Sequence, residues 1–517
     1  MSTILDQLIL DVAEQIPKFN DYMLRGFIKK QINSSPEFID TVYKEAVKLV
    51  NGAVTYHDYE ILSPADRINF ELSMSNPNKL KLQTAVSELQ LVRFRFSHEG
   101  RFYYTHFYTP YLHNDMLFIN GRRYGLIKSV TDQIFSRSKH SGLQVRPIRA
   151  LLGFNRNNQF RLVSEQRGVI SSEFIITARL YHKEKQSKRS CEFTVLHYLL
   201  CKFGFVNTML QFGLLVDDLT FVDHVRPMDN TEYDYFIAKQ TNRKTVTDVY
   251  LRVRRSVLQH QVIRKVIANL LYLLTHFNFH TVESLYQPDG HDFRVMLGRI
   301  LNATGSHVET KAKSDADNHI ITVDHFIDPI TKARFHTFGL MVDDIYQLLH
   351  YIFVEIDNFL VNTLPQNLYK KRIDVIDSTL VVAFATTIFK AFYKCHAKTK
   401  LQQREVKQLF YQRPMAITEI YSSRRKTQSR NVNPAPEIYG DNWLVSSGIF
   451  KLRPGGTPQE RFDPSMPLVE SIVAFSGSTP GLTGLINPYL PINEQGGVER
   501  PDYAEDIEEI VNYLPSR

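Results

Sequence analysis

Ten of the chain's 22 prolines and nine of its 23 glycines fall between Asn433 and Pro501. Proline removes a backbone donor and fixes φ, and glycine is costly to order, so regular helix and sheet must be sparse there. Two loops stand out. One is Arg453-Pro454-Gly455-Gly456-Thr457-Pro458-Gln459-Glu460-Arg461, and the other is Ser478-Thr479-Pro480-Gly481-Leu482-Thr483-Gly484-Leu485-Ile486-Asn487. Structureless loops this long are usually functional or disordered. Composition argues against disorder, because Trp443, Leu444, Ile449, Phe450, Val473, Phe475, Leu485, Ile486 and Tyr489 supply anchoring side chains. Two arginines flank the double glycine. Such a loop lets backbone approach a ligand closely and sets positive charge beside it.

The remaining chain has to supply the core. Its 517 residues suffice for about three domains. With 43% hydrophobic and 22% charged residues, the balance is that of an ordinary globular protein. The net charge of +8 favours a polyanionic partner without requiring one. Glu499, Asp502, Glu505, Asp506, Glu508 and Glu509 make the end acidic, so the rest is more basic than the mean. Three cysteines, Cys191, Cys201 and Cys395, exclude a disulfide framework and fit a reducing compartment. The start carries no basic targeting region. The most apolar windows, Val266 to Leu274 and Leu380 to Phe389, fall short of the about 20 residues a bilayer needs. We therefore expect an intracellular protein with no membrane partner.

Periodicity sketches the elements. Ile4, Leu5, Leu8, Ile9 and Val12 share a helical face. Ser35 as cap and Pro36 at the first helical position open a second helix, with a stripe of Phe38, Ile39, Val42, Tyr43, Ala46 and Val47, ended by Gly52. The period then becomes two. Val92, Phe94 and Phe96 alternate with Arg93 and Arg95, His98-Glu99-Gly100 turns, and Phe102 and Tyr104 return, which reads as a β-hairpin. Asn120-Gly121 marks a second hairpin within Leu117 to Ile127. Lys183 to Arg189 reads as a charged loop, Val257 to Phe277 as a long helix, and Asn302 to Asn318 as a polar loop or insertion. Leu340 to Lys398 reads as helical, divided at Pro365.

Few motifs carry chemistry. Cys191, His197 and Cys201 lack a fourth ligand and sit in an apolar run, so core cysteines and a surface histidine are expected rather than zinc. Asp315, Asp317, His319, Asp324 and His325 are dense but mix a polar loop with a strand-like run, Ile320 to Val323, and do not match a calcium loop. Tyr439-Gly440-Asp441-Asn442 is similar to the metal-holding turn of single-chain viral RNA-dependent polymerases, with no Asp-rich partner motif upstream. There is no phosphate-binding P-loop, nucleophile elbow or H-E-x-x-H. Arg252, Arg254, Arg255, Arg264 and Lys265 read as a solvated face, with phosphate contact as the alternative.

The C-terminal segments resemble the fork-loop and rifampicin-pocket region of the β subunit of multisubunit DNA-directed RNA polymerases. That family has N-P-L-S-E-I, S-A-L-G-P-G-G-L-T-R-E-R and E-T-P-E-G-P-N-I-G-L-I-N in order. Here stand Asn433-Pro434-Ala435-Pro436-Glu437-Ile438, then Ser447 through Arg461, then Ser478-Thr479-Pro480 and Gly484-Leu485-Ile486-Asn487. Glu499-Arg500-Pro501 and Glu508 to Leu514 resemble the segment that follows. Upstream, Leu117-Phe118-Ile119-Asn120-Gly121-Arg122-Arg123 resembles F-I-I-N-G-T-E-R of the protrusion, and Lys371-Arg372-Ile373-Asp374-Val375 resembles the N-R-R-V that opens a protrusion helix. The chain departs from the pattern too. The second loop is two residues shorter, and Gln459 stands for the first arginine of R-E-R, so a rifampicin-type inhibitor should bind poorly.

The resemblance implies an α+β, multidomain chain: a protrusion-like first part over 1–154, a lobe-like part over 155–335, a helical return to the protrusion over 336–412, and the fork-loop and RNA-pocket region over 413–517. It implies the N-terminal half of a split β subunit, as in giant phages of the phiKZ group, forming one wall of the DNA/RNA channel. Arg424, Arg425, Arg453, Gly455, Gly456, Gln459, Glu460, Arg461, Thr479, Pro480 and Asn487 would touch nucleic acid. The chain would hold no catalytic residue, no metal and no cofactor, and would not be active alone. Mg2+ would sit on a β′-like partner bearing N-A-D-F-D-G-D. The implied partners are the C-terminal β half, β′-like halves, a promoter-recognition subunit, DNA template and nascent RNA. The implied location is the infected cell, in its cytoplasm or a phage nucleus-like compartment, or the virion. Two other readings stand beside it: a virion structural or interaction protein without a polymerase role, and a lone RNA-dependent polymerase built on Asp441.

Overall fold

The hairpin read from alternation is the centre of the first half of the fold. The structure, a computed structural model, describes residues 28–410 except 51, 75–88, 112–116, 120–121, 127, 133, 138–141, 148–149, 183–192, 223, 227–230, 239–248, 277–281, 302–307, 337–338, 363–370, 375–383, 396–397 and 399, together with 415–416, 426–428, 443–446, 483–485, 492–493 and 496–498. It is mixed α+β with mainly antiparallel sheets, in two units: 1–133 with 366–517, and 134–365. The expected helix over Ile4 to Val12 and the loop over Lys183 to Arg189 lie outside the described residues.

The first unit begins with α1 (Ile28–Asn33), α2 (Ser35–Val47), β1 (Thr55–Ile61), α3 (Pro64–Met74), β2 (Leu89–His98) and β3 (Arg101–Pro110). Ser35 does not cap α2. It lies within the first turn, and its hydroxyl donates back to the Ile32 carbonyl at 2.5 Å. The α2 stripe buries Phe38, Ile39, Val42, Tyr43 and Ala46, and Gly52 beyond it takes φ +76°. β2 and β3 pair from Leu89↔Pro110 to His98↔Arg101, closed by Glu99 and Gly100, both at positive φ, as a type I′ turn requires. β1 adds to the free edge of β2 with a bulge between Tyr56 and Asp58. Three short strands follow: β4 (Leu117–Ile119) and β5 (Arg122–Leu126), which pair antiparallel, and β6 (Lys128–Asp132); the Asn120-Gly121 turn expected between the first two lies outside the described residues.

The second unit opens with β7 (Phe135–Arg137), β8 (Gly142–Val145) and the 15-residue strands β9 (Ala150–Ser164) and β10 (Gly168–His182). β11 (Phe193–Thr194), α4 (Val195–Gln211), β12 (Leu219–Val222), β13 (Tyr233–Ala238) and β14 (Val249–Arg254) complete an eight-stranded sheet and its first helix. Thr194 caps α4, its hydroxyl accepting from the His197 N–H at 3.3 Å. α5 (Gln261–His276) is the expected long helix, preceded by a short helical turn at Val257–Gln259. Then come α6 (Val282–Leu285), α7 (His291–Leu301), α8 (Glu309–Asp324), α9 (Pro329–His336) and α10 (Ile345–Asn362).

α8 corrects two expectations. The polar stretch read as a loop to Asn318 is helical from Glu309, and the strand-like Ile320 to Val323 continues the same helix. Its buried side is Ala312, Ala316, Ile320 and Val323, a stripe at helical spacing in which two positions are only alanine. One continuous core runs from Ile134 to Leu360 and lies wholly within this unit.

The chain then returns to the first unit as β15 (Lys371–Asp374), α11 (Thr386–Tyr393), α12 (Gln403–Phe410), β16 (Met415–Ala416), β17 (Lys426–Gln428), β18 (Trp443–Ser446) and β19 (Thr483–Leu485). Lys371 to Asp374 is thus a strand, and residues 375–383, where the expected helix would open, lie outside the described residues. The strand pairs with β6 on one side, and on the other the Ile373 N–H donates to the Gly496 carbonyl at 2.7 Å. The core of the first unit needs this return. Tyr43 of α2 packs on Phe94, Phe96 and Phe107 of the hairpin and on Phe392 of α11, and Phe410 of α12 lies 5.2 Å from Phe96.

Candidate nucleic-acid interface

The eleven residues expected to touch nucleic acid, from Arg424 to Asn487, all lie outside the described residues, as does Asp441. Of the second loop the structure describes Thr483–Leu485. They form β19, which pairs with β18, and β18 runs parallel to β6. The order β15-β6-β18-β19 thus joins the end of the glycine-proline loop to the strands that border the inserted unit.

The described residues hold another exposed face of charged and aromatic side chains. Alternation along β2 sends Val92, Phe94 and Phe96 inward, fully buried, and leaves Arg93, Arg95 and Ser97 on the outer face. The register sets His106 opposite Arg93, Tyr104 opposite Arg95 and Phe102 opposite Ser97. On the other side it sets Glu60 opposite Arg93 and Asp58 opposite Arg95. The outer face therefore carries three columns: carboxylates on β1, guanidiniums on β2 and rings on β3. Arg93 pairs with Glu60 and Arg95 with Asp58. Each guanidinium also leans over a ring, Arg93 at 5.3 Å from the Tyr104 centroid and Arg95 at 6.0 Å from that of Phe102.

α3 covers one end of this face. Phe70 stacks on His106 at 4.1 Å between centroids, and the Arg67 guanidinium lies 5.6 Å from the Tyr108 ring. Burial there, together with the Arg93 charge, pushes His106 down to about 4, so it is neutral at pH 7. The other end is open. Phe102 is 59% exposed and Tyr104 42%. His57, at the bulge of β1, borders it, 2.8 Å from the Ser97 hydroxyl and with its ring 5.6 Å from Phe102. The hairpin alternation contained this arrangement; only the pairing of β1 with β2 was beyond it.

The other sequence candidates resolve into internal contacts of the second unit. Most of the basic stretch pairs with carboxylates of the fold, and its arginines stay partly exposed. Arg254 meets Asp218 at 2.7 Å, Arg264 meets Glu173 at 2.9 Å, and the buried Lys265 meets Asp357 at 3.2 Å. Burial would raise the Asp357 carboxyl, but Arg156 and Lys265 hold it below the usual range. Arg255 reaches the fully buried Asp234, which also accepts from Ser164 and Arg167, and Arg252 stacks over Tyr233 at 3.5 Å.

His197 is no surface residue. It is fully buried, and its Nε2–H donates to the Phe293 carbonyl at 2.8 Å. Cys201 is a buried thiol whose pKa burial pushes up; Cys191 lies outside the described residues. The acidic cluster on α8 is divided among partners: Asp317 to Arg294, Asp324 to Lys202 and Tyr346, and His319 to Tyr198. Among the described residues no group of three or more His, Cys, Asp or Glu could hold a metal ion, and no helix is long and apolar enough to cross a membrane.

Among the described residues the chain is thus a mixed α+β protein with a discontinuous first unit and a sheet face of arginines, carboxylates and rings. The family model described as non-virion RNA polymerase subunit matches residues 1–433. The chain belongs to that family: it is an RNA polymerase subunit, and other polymerase subunits are its partners. No curated protein matches it.

Proposed function

We propose that this chain is the N-terminal half of a split β subunit in the multisubunit DNA-directed RNA polymerase of a giant phage, and that it forms one wall of the DNA/RNA channel. The family match carries the reading as far as a polymerase subunit. The motifs from Leu117-Phe118-Ile119-Asn120-Gly121 to Gly484-Leu485-Ile486-Asn487, which follow one another along the sequence as in the β family, support the β assignment. Arg453 and Arg461 contact phosphates, while Gly455 and Gly456 allow close backbone approach. Gln459, Glu460, Thr479, Pro480 and Asn487 line the RNA path, and Arg424 and Arg425 add charge upstream. Such contacts fix register without reading sequence, which suits general transcription. Mg2+ belongs to a β′-like partner, and the complex works inside the infected cell.

Purification of the tagged chain from infected cells tests this. We expect it to bring down a chain bearing N-A-D-F-D-G-D and a β C-terminal half; a homo-oligomer free of such chains would overturn the proposal. In the assembled enzyme, Arg461→Ala should slow elongation by roughly tenfold, the order of one charge-assisted contact, with assembly unchanged. Normal elongation would remove Arg461 from the contact set.

A further inference from the structure

We propose that the outer face of the β1-β2-β3 sheet is a stacking platform for single-stranded nucleic acid, with adjacent bases on Phe102 and Tyr104 and the backbone along Arg93 and Arg95. The source of that strand, DNA or transcript, rests on the polymerase reading; the stacking chemistry does not.

Three observations carry it. The first is what the open face is made of. His57, Asp58, Glu60, Arg93, Arg95, Ser97, Phe102 and Tyr104 include no aliphatic side chain. Carboxylates are depleted from the core of a protein-docking face, and this face carries two of them, whereas rings and guanidiniums together are what hold a single strand.

The second is spacing. Phe102 and Tyr104 are two residues apart on one strand face, hence about 6.7 Å apart along it. That is about twice the 3.4 Å rise per nucleotide of a duplex strand. Two neighbouring bases of an extended strand can each lie on a ring, while the stacked bases of a duplex cannot.

The third is the state of the arginines. Their pairs with Asp58 and Glu60 have side chains about half exposed, at 40% and 52% for Arg93–Glu60 and 44% and 55% for Arg95–Asp58. Exposed pairs of this kind contribute little, and each guanidinium has five donors in a planar fork, so a phosphate can be engaged at small cost. The carboxylates oppose the phosphates, however. Stacking must therefore supply most of the affinity, and neutralising the carboxylates must improve it.

The test uses the purified full chain and fluorescence anisotropy with 12-nucleotide oligo-dT, 12-nucleotide oligo-U and a 12-base-pair duplex. Phe102→Ala and Tyr104→Ala are each expected to weaken binding of the single strands by at least about fivefold, the lower end of a base–aromatic stack. Duplex binding should not change, nor should the unfolding midpoint, since both rings are exposed. Asp58→Asn with Glu60→Gln should tighten single-strand binding several-fold, a gain that no folding defect can mimic. Preference for oligo-dT or oligo-U identifies the strand as DNA or transcript, and either supports the platform.

Single-strand affinities that match the parent in the ring variants overturn the proposal. So does an equal loss for duplex, which would mean backbone contact alone, and so does no gain from the double carboxylate variant. Cross-linking of Phe102 to another subunit, and not to a thiouridine-bearing strand, would make the face a protein interface. Co-purification is scored separately: intact assembly with unaltered oligonucleotide binding sinks the platform alone, and absent assembly with the expected oligonucleotide effects sinks the polymerase reading alone.

Discussion

His197 shows what a single buried side chain does to the chain's response to acid. It sits in α4 with no exposure, its Nε2–H on the Phe293 carbonyl. Burial outweighs that hydrogen bond and lowers its pKa to about 4. In the unfolded chain it returns to about 6.5. Above pH 6.5 both states are neutral and the full stability is present. As pH falls toward 4, the unfolded chain takes up a proton that the folded chain cannot, and stability is lost. Between pH 7 and pH 5 that loss is on the order of 2 kcal/mol, at about 1.4 kcal/mol per pH unit. Urea unfolding of the parent and of His197→Gln at the two pH values checks it. The variant should be less stable at pH 7 yet lose about 2 kcal/mol less on acidification. Equal losses would place the acid sensitivity elsewhere, with His106 the next group to examine, since its pKa is shifted the same way.

At the scale of elements, close approach can matter more than propensity. α7 and α8 cross where Gly298 meets Ala312, and a Cβ on Gly298 would lie 1.8 Å from the Ala312 carbonyl oxygen. Gly298→Ala should gain about 1 kcal/mol of helix propensity. The contacted atom is backbone, so the helices themselves must shift, and overpacking of that kind costs about 1–3 kcal/mol or more. We expect a net fall in the thermal midpoint; a rise would mean that the two helices separate freely. The same pair explains what the sequence hid. α8 packs through alanines, so its buried stripe barely differs from a polar loop in apolar content. β15 was hidden for another reason. Lys371 to Asp374 becomes a strand because β6 and Gly496 flank it, and partners more than a hundred residues away leave no local pattern. The β2-β3 hairpin was legible because turn, alternation and pairing all lie within 22 residues. Its outer face was legible in part: alternation separates Arg93 and Arg95 from the core, but the carboxylate column comes from β1, across residues 62–88. The loop residues from Arg453 to Arg461 were singled out by composition and resemblance alone, and nothing in the described fold bears on them.

For the molecule as a whole, the decisive feature is where the second unit is attached. β6 ends at Asp132, and Asp132 is the ladder partner of Lys371, the first residue of β15. Ladder partners lie about 5 Å apart, so the chain leaves the first unit and re-enters it at neighbouring points. The second unit closes in the same way: Phe135, near its start, stacks on Phe359, near its end, at 5.1 Å. Its core, from Ile134 to Leu360, draws on no residue of the first unit. A region with adjacent ends and its own core should fold independently of its host. We therefore expect a fragment of residues 134–365 to unfold cooperatively and to keep near-ultraviolet ellipticity from its packed rings. The reciprocal chain, with 134–365 replaced by a short Gly/Ser linker, should keep the Tyr43 cluster. That cluster takes Phe392 from beyond the insertion and Phe94, Phe96 and Phe107 from before it. The first unit cannot be cut at the insertion in the same manner, because a fragment ending near residue 133 lacks α11 and α12 and leaves Phe96 without Phe410. Such a fragment should be aggregation-prone where the linker-joined chain is not. Comparable solubility of the two would show that α2 and the hairpin close their core without the return, and would remove the physical reason for the chain to come back.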